Sequence, residues 1–221
     1  MPEKKFPDYI IKESKQFGVV NYSLFCINDE TIYSSVLPYH FYQISKIIRR
    51  FIKSPKFIID ANAHIGGSTI NLTNIFPTAR ILSIEIKKST FNLLKKNISS
   101  FECKRVVLVN ENCIPFFKKL VCRIKPDFIN LDPPWGGPGY NKKNKMMLTL
   151  KNTSGKDIPI YSIINFLFLK GLTRMVTFKA PNNFDLVEFK KHVQGKILSY
   201  SIYNKKSKAR VIYKYMIIRA N

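Results

Sequence analysis

Short apolar runs alternate with segments of helical spacing from residue 57 to the end of the chain. The apolar runs predict strands at residues 57–59, 81–84, 105–109, 128–131, 175–179, 197–203 and 211–218. Apolar positions three and four residues apart predict helices at residues 68–75, 89–98, 114–121, 160–170 and 186–192. Such alternation is typical of an α/β fold with a mostly parallel sheet and helices on both faces, and the last two runs predict an antiparallel edge. Residues 141–158 are polar, rich in lysine and without periodicity, so we expect a mobile loop there.

The segment before this alternation has a different pattern. Residues 1–20 are polar and mixed, which predicts an arm or a short helix, whereas residues 44–52 have helical spacing. We therefore expect a short helical extension over residues 1–55 that helps to close the ligand pocket. One α/β domain is expected over residues 56–221.

Composition narrows the class of protein. The chain has 221 residues, 45% of them hydrophobic, which supports a folded core. It has no apolar run of transmembrane length and no signal-peptide pattern, so we expect an intracellular, soluble monomer without a membrane partner. The four cysteines show no CxxC pair and the three histidines are scattered, so no metal site is expected.

The charge of the chain is strongly positive. There are 37 Lys and Arg residues against 14 Asp and Glu, which gives a formal net charge of +23. A polyanion is the natural partner of such a surface, so we expect a nucleic acid or a nucleotide ligand. An AT-rich genome would also raise the lysine content, so the charge alone does not identify the ligand.

Polar residues follow the first three predicted strands in an order that suits a nucleotide-like cofactor. Asp60 ends the first strand, Gly66 and Gly67 open the next helix, Glu85 ends the second strand and Asn112 follows the third. Glycines let the backbone approach a ligand, a helix N-terminus favours electron-rich groups, and an acid after the second strand can bind ribose hydroxyls. The loop is not G-x-G-x-x-G, so a dinucleotide is not implied. The arrangement is that of class I (Rossmann-like) methyltransferases, which use S-adenosylmethionine.

In that arrangement Asp60 would lie near the methionine part of the donor, Glu85 at the ribose and Asn112 at the adenine. No metal is needed, because the transferred methyl group leaves a neutral thioether behind. The candidate cofactor-binding residues are Asp60, Ala61, Asn62, Gly66, Gly67, Ser68, Glu85, Ile86, Asn112, Cys113 and Asp132.

The most informative motif follows the fourth predicted strand and reads Asp132-Pro133-Pro134-Trp135-Gly136-Gly137. The Asp132 carboxylate can accept a hydrogen bond from a purine amine and orient its nitrogen towards a methyl donor. The prolines stiffen the loop, and Trp135 offers a flat face for stacking. Asp132, Pro133 and Trp135 are therefore the candidate catalytic residues. The alternative is a turn that ends a strand and buries its tryptophan.

The motif continues to Tyr140, and the stretch Asp132-Pro-Pro-Trp-Gly-Gly-Pro-Gly-Tyr140 resembles that of trimethylguanosine synthases, the RNA cap guanine-N2 methyltransferases. The resemblance implies methyl transfer to the exocyclic N2 amine of a 7-methylguanosine cap, with capped RNA as the partner. The product would be 2,7-dimethylguanosine or, after a second transfer, 2,2,7-trimethylguanosine. The resemblance spans about residues 20–218 and includes the segments 22–25, 33–38, 181–183 and 204–213.

The resemblance also implies a set of cap-binding residues. Trp135 would stack on the methylated guanine, which is cationic and suits a tryptophan face. Lysines such as Lys179 would reach the triphosphate bridge. The implied substrate-binding residues are Trp135, Gly136, Tyr140, Lys179, Pro181, Asn182 and Asn183.

The chain departs from the family pattern at a few positions. Asn62, Ala63 and His64 stand where relatives commonly carry a small residue, an aromatic residue or Cys, and another Gly. Asn182 stands where the family often has Arg, which concerns one phosphate contact. The long N-terminal region of some relatives, with any recruitment function it carries, is not expected here.

Two other functions stay open. An amino-methyltransferase for internal adenine or guanine of RNA or DNA would use the same Asp-Pro-Pro-Trp chemistry on an extracted base. A catalytically silent RNA-binding subunit would keep the fold and the basic surface. The departure at His64 favours the silent subunit, although Asp60, Gly66, Glu85 and Asp132 are all present.

Overall fold

The computed structural model describes residues 4–31, 36–120, 125–137, 139–142, 144–207 and 210–221. The strands are β1 (Phe57–Asp60), β2 (Arg80–Ile84), β3 (Val106–Val109), β4 (Phe128–Leu131), β5 (Thr149–Lys151), β6 (Asp157–Pro159), β7 (Met175–Pro181), β8 (Lys196–Tyr203) and β9 (Val211–Arg219). The α-helices are α1 (Asp8–Phe17), α2 (Pro38–Phe51), α3 (Gly67–Ile75), α4 (Lys88–Ser100), α5 (Cys113–Lys119), α6 (Ile160–Leu169) and α7 (Leu186–His192). Two short 3₁₀ helices lie at Tyr22–Leu24 and Tyr140–Lys142.

Seven of the strands form one sheet, in the order β3-β2-β1-β4-β7-β9-β8. The pairs β1–β2, β2–β3 and β4–β7 are parallel, whereas β9 is antiparallel to both β7 and β8. The mostly parallel sheet with an antiparallel C-terminal edge is therefore confirmed. Parallel strands require long connections, and the helices between the strands provide them.

The expectation of a loop without regular structure over residues 141–158 is wrong. Strands β5 and β6 pair there as a separate antiparallel hairpin. The Asn152 side chain accepts hydrogen bonds from the backbone N–H groups of Ser154 (3.0 Å) and Lys156 (2.9 Å), and Gly155 has a φ of +79°. This turn determines the hairpin. Strands of three residues are too short to show an apolar periodicity in the sequence.

Some expectations concern residues that the structure does not describe. These are residues 1–3 of the predicted arm, residues 33–35 of the segment 33–38, Val121 at the end of the predicted helix 114–121, Pro138 of the acceptor motif, Lys143 of the segment 141–158, and Lys208 and Ala209 of the basic segment 204–213.

The chain divides into two compact units, residues 1–111 and 112–221. In the first unit, the segment before β1 shares a hydrophobic core with the helices that follow β1 and β2. The buried members of that core are Phe6, Ile10, Tyr22, Phe25, Ile27, Ala63, Ile65, Ile70, Leu94 and Ile98. Burial of this many apolar side chains fixes the N-terminal segment against α3 and α4.

A buried amide adds to this attachment. Asn97 of α4 is fully buried, and its side-chain oxygen accepts a hydrogen bond from the backbone N–H of Cys26 (2.7 Å). Its amide nitrogen donates to the backbone oxygens of Cys26 (3.1 Å) and Ile65 (2.9 Å). A buried polar group with its partners present avoids the cost of desolvation. Asn97 thus ties the N-terminal segment to the loop that follows β1.

The second unit contains the antiparallel part of the sheet. Strand β9 is the longest, pairs with a neighbour on each side, and is buried over most of its length. Phe178 of β7 contacts Phe184 and Phe189 edge-on, with ring centroids 5.8 and 5.6 Å apart. Such edge contacts pack the loop after β7 and helix α7 onto the sheet.

The loop between β1 and α3 has an unusual backbone. His64 and Gly66 have φ values of +52° and +92°. A Cβ atom built at Gly66 would lie 2.8 Å from Cδ1 of the buried Leu94 and 3.4 Å from Cδ1 of Ile70. Glycine suits this position best, because the left-handed conformation strains any other residue and an added Cβ would force the buried Leu94 to shift.

We therefore expect Gly66→Ala to lower the free energy of unfolding by about 2–4 kcal/mol, through backbone strain and overpacking. Gly155→Ala is the matched control, because Gly155 has a φ of +79° but no atom within 4 Å of an added Cβ. It should cost only about 1–2 kcal/mol, from the backbone conformation alone. Urea unfolding followed by circular dichroism measures both values, and equal losses would contradict the contact with Leu94.

Candidate active site

The polar residues that follow the parallel strands of the first unit lie at one edge of the sheet. Asp60 is the last residue of β1, Glu85 follows β2, and Asn110 follows β3. In the parallel register of β1 and β2, Asp60 lies beside Ser83. In the parallel register of β2 and β3, Ile84 lies beside Val109. The carboxyl ends of parallel strands are where open α/β sheets bind ligands.

The Glu85 carboxylate is held in place at this edge of the sheet by backbone hydrogen bonds. This carboxylate accepts hydrogen bonds from the backbone N–H of His64 (2.9 Å) and of Lys87 (2.8 Å), one to each oxygen. Burial raises the pKa of Glu85, while hydrogen bonds from backbone N–H groups oppose that rise. Each carboxylate oxygen has two lone pairs, so Glu85 can still accept hydrogen bonds from a pair of hydroxyl groups.

Asp60 has a different environment from the one its sequence position suggested. It is fully buried, and its carboxylate accepts a hydrogen bond of 2.6 Å from the hydroxyl of Thr69, which also lies 2.8 Å from the Ser83 hydroxyl. These contacts fix the first turns of α3 against β1 and β2. A contact between Asp60 and the methionine part of a donor stays a prediction.

The loop that follows Asp60 has a residue with a left-handed backbone at His64. Its φ of +52° is one that a glycine would adopt without strain. Among non-glycine residues, His is one of those that tolerate this region. Ala61, Gly66 and Gly67 are buried, whereas Asn62 and Ser68 are partly exposed.

Asn110 was missed by the sequence analysis. Its side-chain amide donates hydrogen bonds to the backbone oxygens of Glu85 (2.7 Å) and Ile86 (3.1 Å). Asn110 thereby holds the segment that carries Glu85 and the exposed Ile86, whose side chain is 59% accessible. Its position directly after the third strand was the signal that could have found it.

In the second unit, Asn112 caps helix α5. Its side-chain oxygen accepts a hydrogen bond from the backbone N–H of Ile114 (2.9 Å), and its amide nitrogen donates to the backbone oxygen of Lys151 (2.8 Å). The side chain therefore links the start of α5 to β5. Cys113 beside it is buried. An adenine contact of Asn112 stays a prediction.

The acceptor loop begins with an ion pair. Lys179 Nζ lies 2.7 Å from a carboxylate oxygen of Asp132, and these side chains are only 12% and 19% exposed. The register explains the pair, because Leu131 of β4 lies beside Phe178 of β7, so the next residue of each strand is Asp132 and Lys179. Burial raises the pKa of Asp132, and the Lys179 ammonium acts in the opposite direction. The structure thus pairs Lys179 with a largely buried carboxylate, and its contact with the triphosphate bridge stays a prediction.

Trp135 is half-buried and lies among tyrosines. Its ring centroid is 5.2 Å from that of Tyr140 and 5.9 Å from that of Tyr213, with interplanar angles of 68° and 65°. Edge-to-face contacts of this kind fix the orientation of an aromatic plane. Tyr213 of β9 had not been predicted as a site residue, since it lies 78 positions after Trp135 in the chain.

The remaining predicted substrate residues support this aromatic group. The Asn183 side chain donates a hydrogen bond to the backbone oxygen of Tyr140 (2.9 Å), and the Asn182 side chain donates to the backbone oxygen of Val211 (2.9 Å). Pro181 is the buried last residue of β7. Gly136 is exposed, with a φ of +89° and open space around it. The structure therefore connects the acceptor loop with the end of β7 and with the start of β9.

The described part of the chain contains neither a candidate metal centre nor a membrane-spanning helix. Over those residues no group of three or more His, Cys, Asp and Glu side chains could hold a metal ion. Within the same ranges, no helix has the length and apolar character to cross a bilayer.

Several known proteins are similar to this chain in sequence or in fold. The chain is 27% identical over 189 residues to the trimethylguanosine synthase of Schizosaccharomyces pombe, which covers 80% of this chain and 74% of the relative. Among solved structures, a human methyltransferase 10 domain containing protein is similar with a TM-score of 0.63 and 12% identity, covering 98% of this chain and 99% of that one. The N-terminal domain of human METTL16 in complex with SAH is similar with a TM-score of 0.62 and 13% identity, covering 97% and 83%.

The two solved structures share the fold with this chain, and the sequence match is more specific. The family model described as RNA cap guanine-N2 methyltransferase matches residues 55–218, which include the loop after β1, the Asp132 loop and the β8–β9 hairpin. The chain therefore belongs to the RNA cap guanine-N2 methyltransferase family and is a methyltransferase that uses S-adenosylmethionine.

Proposed function

We propose that the chain transfers a methyl group from S-adenosylmethionine to the exocyclic N2 amine of a 7-methylguanosine RNA cap, and so forms 2,7-dimethylguanosine. The observation that carries the proposal is the acceptor loop. It brings a carboxylate held by an ammonium group at Asp132 within three residues of Trp135, the only tryptophan of the chain. Membership of the cap guanine-N2 family supports the same choice of acceptor.

The first unit supplies groups that suit the donor. S-adenosylmethionine carries an activated methyl group on a sulfonium sulfur. The carboxylate of Glu85 can accept hydrogen bonds from ribose hydroxyls, and Ile86 offers an exposed apolar surface for adenine. The left-handed backbone at Gly66 sets the direction of the first turn of α3, whose N-terminal backbone N–H groups suit the methionine part. Asp60 acts there by holding Thr69.

The second unit supplies groups that suit the acceptor. A 7-methylguanine ring is cationic, and a tryptophan face attracts a cation by its quadrupole. Tyr140 and Tyr213 hold the indole edge-on, so that its plane is fixed before the base arrives. Gly136 has open space around the position of a side chain, and Asn182 and Asn183 hold the backbone of Val211 and Tyr140. We expect Pro181, Asn182 and Asn183 to line the approach of the cap.

Asp132 orients the amine. The N2 lone pair is delocalised into the purine ring, which makes this nitrogen a poor nucleophile. A carboxylate that accepts a hydrogen bond from the N2 amine turns the nitrogen towards the methyl carbon, and correct alignment removes much of the entropic barrier. As the N–C bond forms, the nitrogen acquires positive charge, which an ionised Asp132 stabilises until the surplus proton departs to water.

RNA as the partner is supported by the β8–β9 hairpin. Residues 196–219 contain seven Lys and Arg and no Asp or Glu. The base of the hairpin lies beside the acceptor loop, because Tyr213 contacts Trp135 and Asn182 binds Val211. The turn at its tip is held by Asn204, whose side chain accepts hydrogen bonds from the backbone N–H of Lys206 and Ser207. Phosphates that follow the cap are the natural counter-charges of this surface.

Mass spectrometry of the reaction product tests the proposal. The protein is incubated with labelled S-adenosylmethionine and a 7-methylguanosine dinucleotide cap, and the nucleosides are then separated. A product with one added methyl group on N2 of 7-methylguanosine is expected. An enzyme for internal bases would instead ignore this short cap and methylate adenine or guanine within RNA or DNA.

We expect Trp135→Ala to abolish cap methylation, because the cationic base loses its stacking surface, while the fold and donor binding are kept. Trp135→Phe is the matched control, and it should retain part of the activity because a smaller flat ring remains. Steady-state turnover and calorimetry with S-adenosylmethionine measure the two functions separately. Near-normal turnover of Trp135→Ala would refute the stacking role.

We expect the double variant Lys205→Glu, Lys206→Glu to raise KM for capped RNA roughly tenfold at physiological salt, with KM for the dinucleotide cap unchanged. Both lysines are exposed at the tip of the hairpin. Lys170→Glu, Lys190→Glu is the control, since it makes the same change of charge on an exposed lysine directly after α6 and on one in α7. An equal effect of both double variants would mean that the net charge matters and the hairpin does not.

A further inference from the structure

We propose that Lys179 is a positioning residue for methyl transfer: its ammonium binds one oxygen of the Asp132 carboxylate and so presents the other oxygen, in the ionised state, to the guanine amine. This inference rests on the function proposed above. It assigns Lys179 to the reacting end of the cap and away from the triphosphate bridge.

The geometry of the pair supports this assignment. The distance from Lys179 Nζ to Oδ2 of Asp132 is 2.7 Å, which is the length of a charge-assisted hydrogen bond. Both side chains are largely buried, at 12% and 19% exposed, so water screens the pair weakly. A lysine whose ammonium is used in this way is not extended into solvent to meet phosphate.

The strand register makes the pair a fixed part of the sheet. Leu131 and Phe178 are neighbours across β4 and β7, and both are fully buried. Lys179 also has Tyr215 of β9 as its antiparallel neighbour, so its strand is paired on both sides. The pairing of β7 with β4 up to Phe178 and with β9 at Lys179 itself holds this part of the strand in place, and Lys179 in turn holds the first residue of the acceptor loop.

The pair also decides the protonation of Asp132. Burial raises the pKa of this carboxyl group, and a protonated carboxyl would lose its negative charge and half of its accepting capacity. The positive charge of Lys179 offsets part of this rise and so favours the carboxylate form, although the pKa stays above the ordinary value of an aspartate. Lys179 is the charged group that the structure shows at hydrogen-bond distance from Asp132 in the described residues. Removal of its charge should therefore move the acidic limb of the pH profile upwards.

Lys179→Gln tests the role, because it removes the charge and keeps a hydrogen-bond donor. We expect the acidic limb of kcat to move to higher pH by about 1–3 pH units. Turnover at a fixed pH on that limb should then fall about tenfold for each pH unit that the limb moves. Lys179→Arg keeps the charge and should keep the limb in place, as should Lys190→Met, which removes an exposed lysine of α7. A limb that stays in place in Lys179→Gln would overturn the proposal.

A comparison of two substrates separates this role from phosphate binding. 7-Methylguanosine lacks the triphosphate that 7-methylguanosine triphosphate carries. Lys179→Gln should lower kcat by the same factor on both and leave the ratio of their KM values unchanged. A KM increase confined to the triphosphate would identify Lys179 as a phosphate ligand and overturn the proposal.

The ion pair can also be tested without any acceptor. In protein labelled with ¹³C at the Asp carboxyl carbons, the Asp132 signal is assigned by its loss in Asp132→Asn. Its titration should move to higher pH in Lys179→Gln and stay in place in Lys179→Arg. This result would hold even if the wild-type enzyme failed to methylate a cap, so failure of the proposed function and failure of the ion pair are distinguishable.

A second variant keeps the proposal testable if Lys179→Gln does not fold. The double variant Asp132→Asn, Lys179→Gln removes both charges, so that neither remains buried alone. Its relative affinity for the triphosphate and the nucleoside should equal that of Asp132→Asn. A selective loss of triphosphate affinity in the double variant would contradict the proposal.

Discussion

The acceptor site depends on an acidic group that must remain ionised in a largely buried position. Asp132 begins the loop that leaves β4, and desolvation favours its neutral form. The neighbouring strand β7 places Lys179 Nζ 2.7 Å from a carboxylate oxygen of Asp132, and its positive charge opposes the effect of desolvation. A parallel sheet can provide such a partner because its register fixes which residues leave adjacent strands side by side. The chemistry proposed for the loop therefore begins with the pairing of two strands.

Other side chains of the candidate site are also held in place by their neighbours. Trp135 is oriented by Tyr140 in its own loop and by Tyr213 in β9, and Asn183 binds the backbone of Tyr140. In the first unit, Glu85 is held by backbone N–H groups of the loop after β1, and Asn110 holds the backbone of Glu85. Rigid neighbours of this kind keep reactive groups near their working geometry and reduce the entropy lost on binding.

Much of the fold could be predicted from the sequence, because apolar periodicity reports which faces are buried. The helix over residues 186–192 and the antiparallel hairpin at the C-terminus are examples. The β5–β6 hairpin was missed because its turn at Asn152 sets it, and its three-residue strands carry no period. The contacts of Lys179 with Asp132 and of Trp135 with Tyr213 were missed because each joins segments far apart in sequence. The register between two strands cannot be read from one strand alone. The positive φ at His64 was also missed, because only glycine signals such a backbone reliably in a sequence.

A crystal structure of the protein with S-adenosylhomocysteine and a 7-methylguanosine cap nucleotide would test the central claim most directly. We expect the methylated base to lie flat on the indole of Trp135, with its N2 atom at about 3 Å from the Asp132 carboxylate oxygen that Lys179 does not bind. A base bound elsewhere, with the indole covered by protein, would contradict the account.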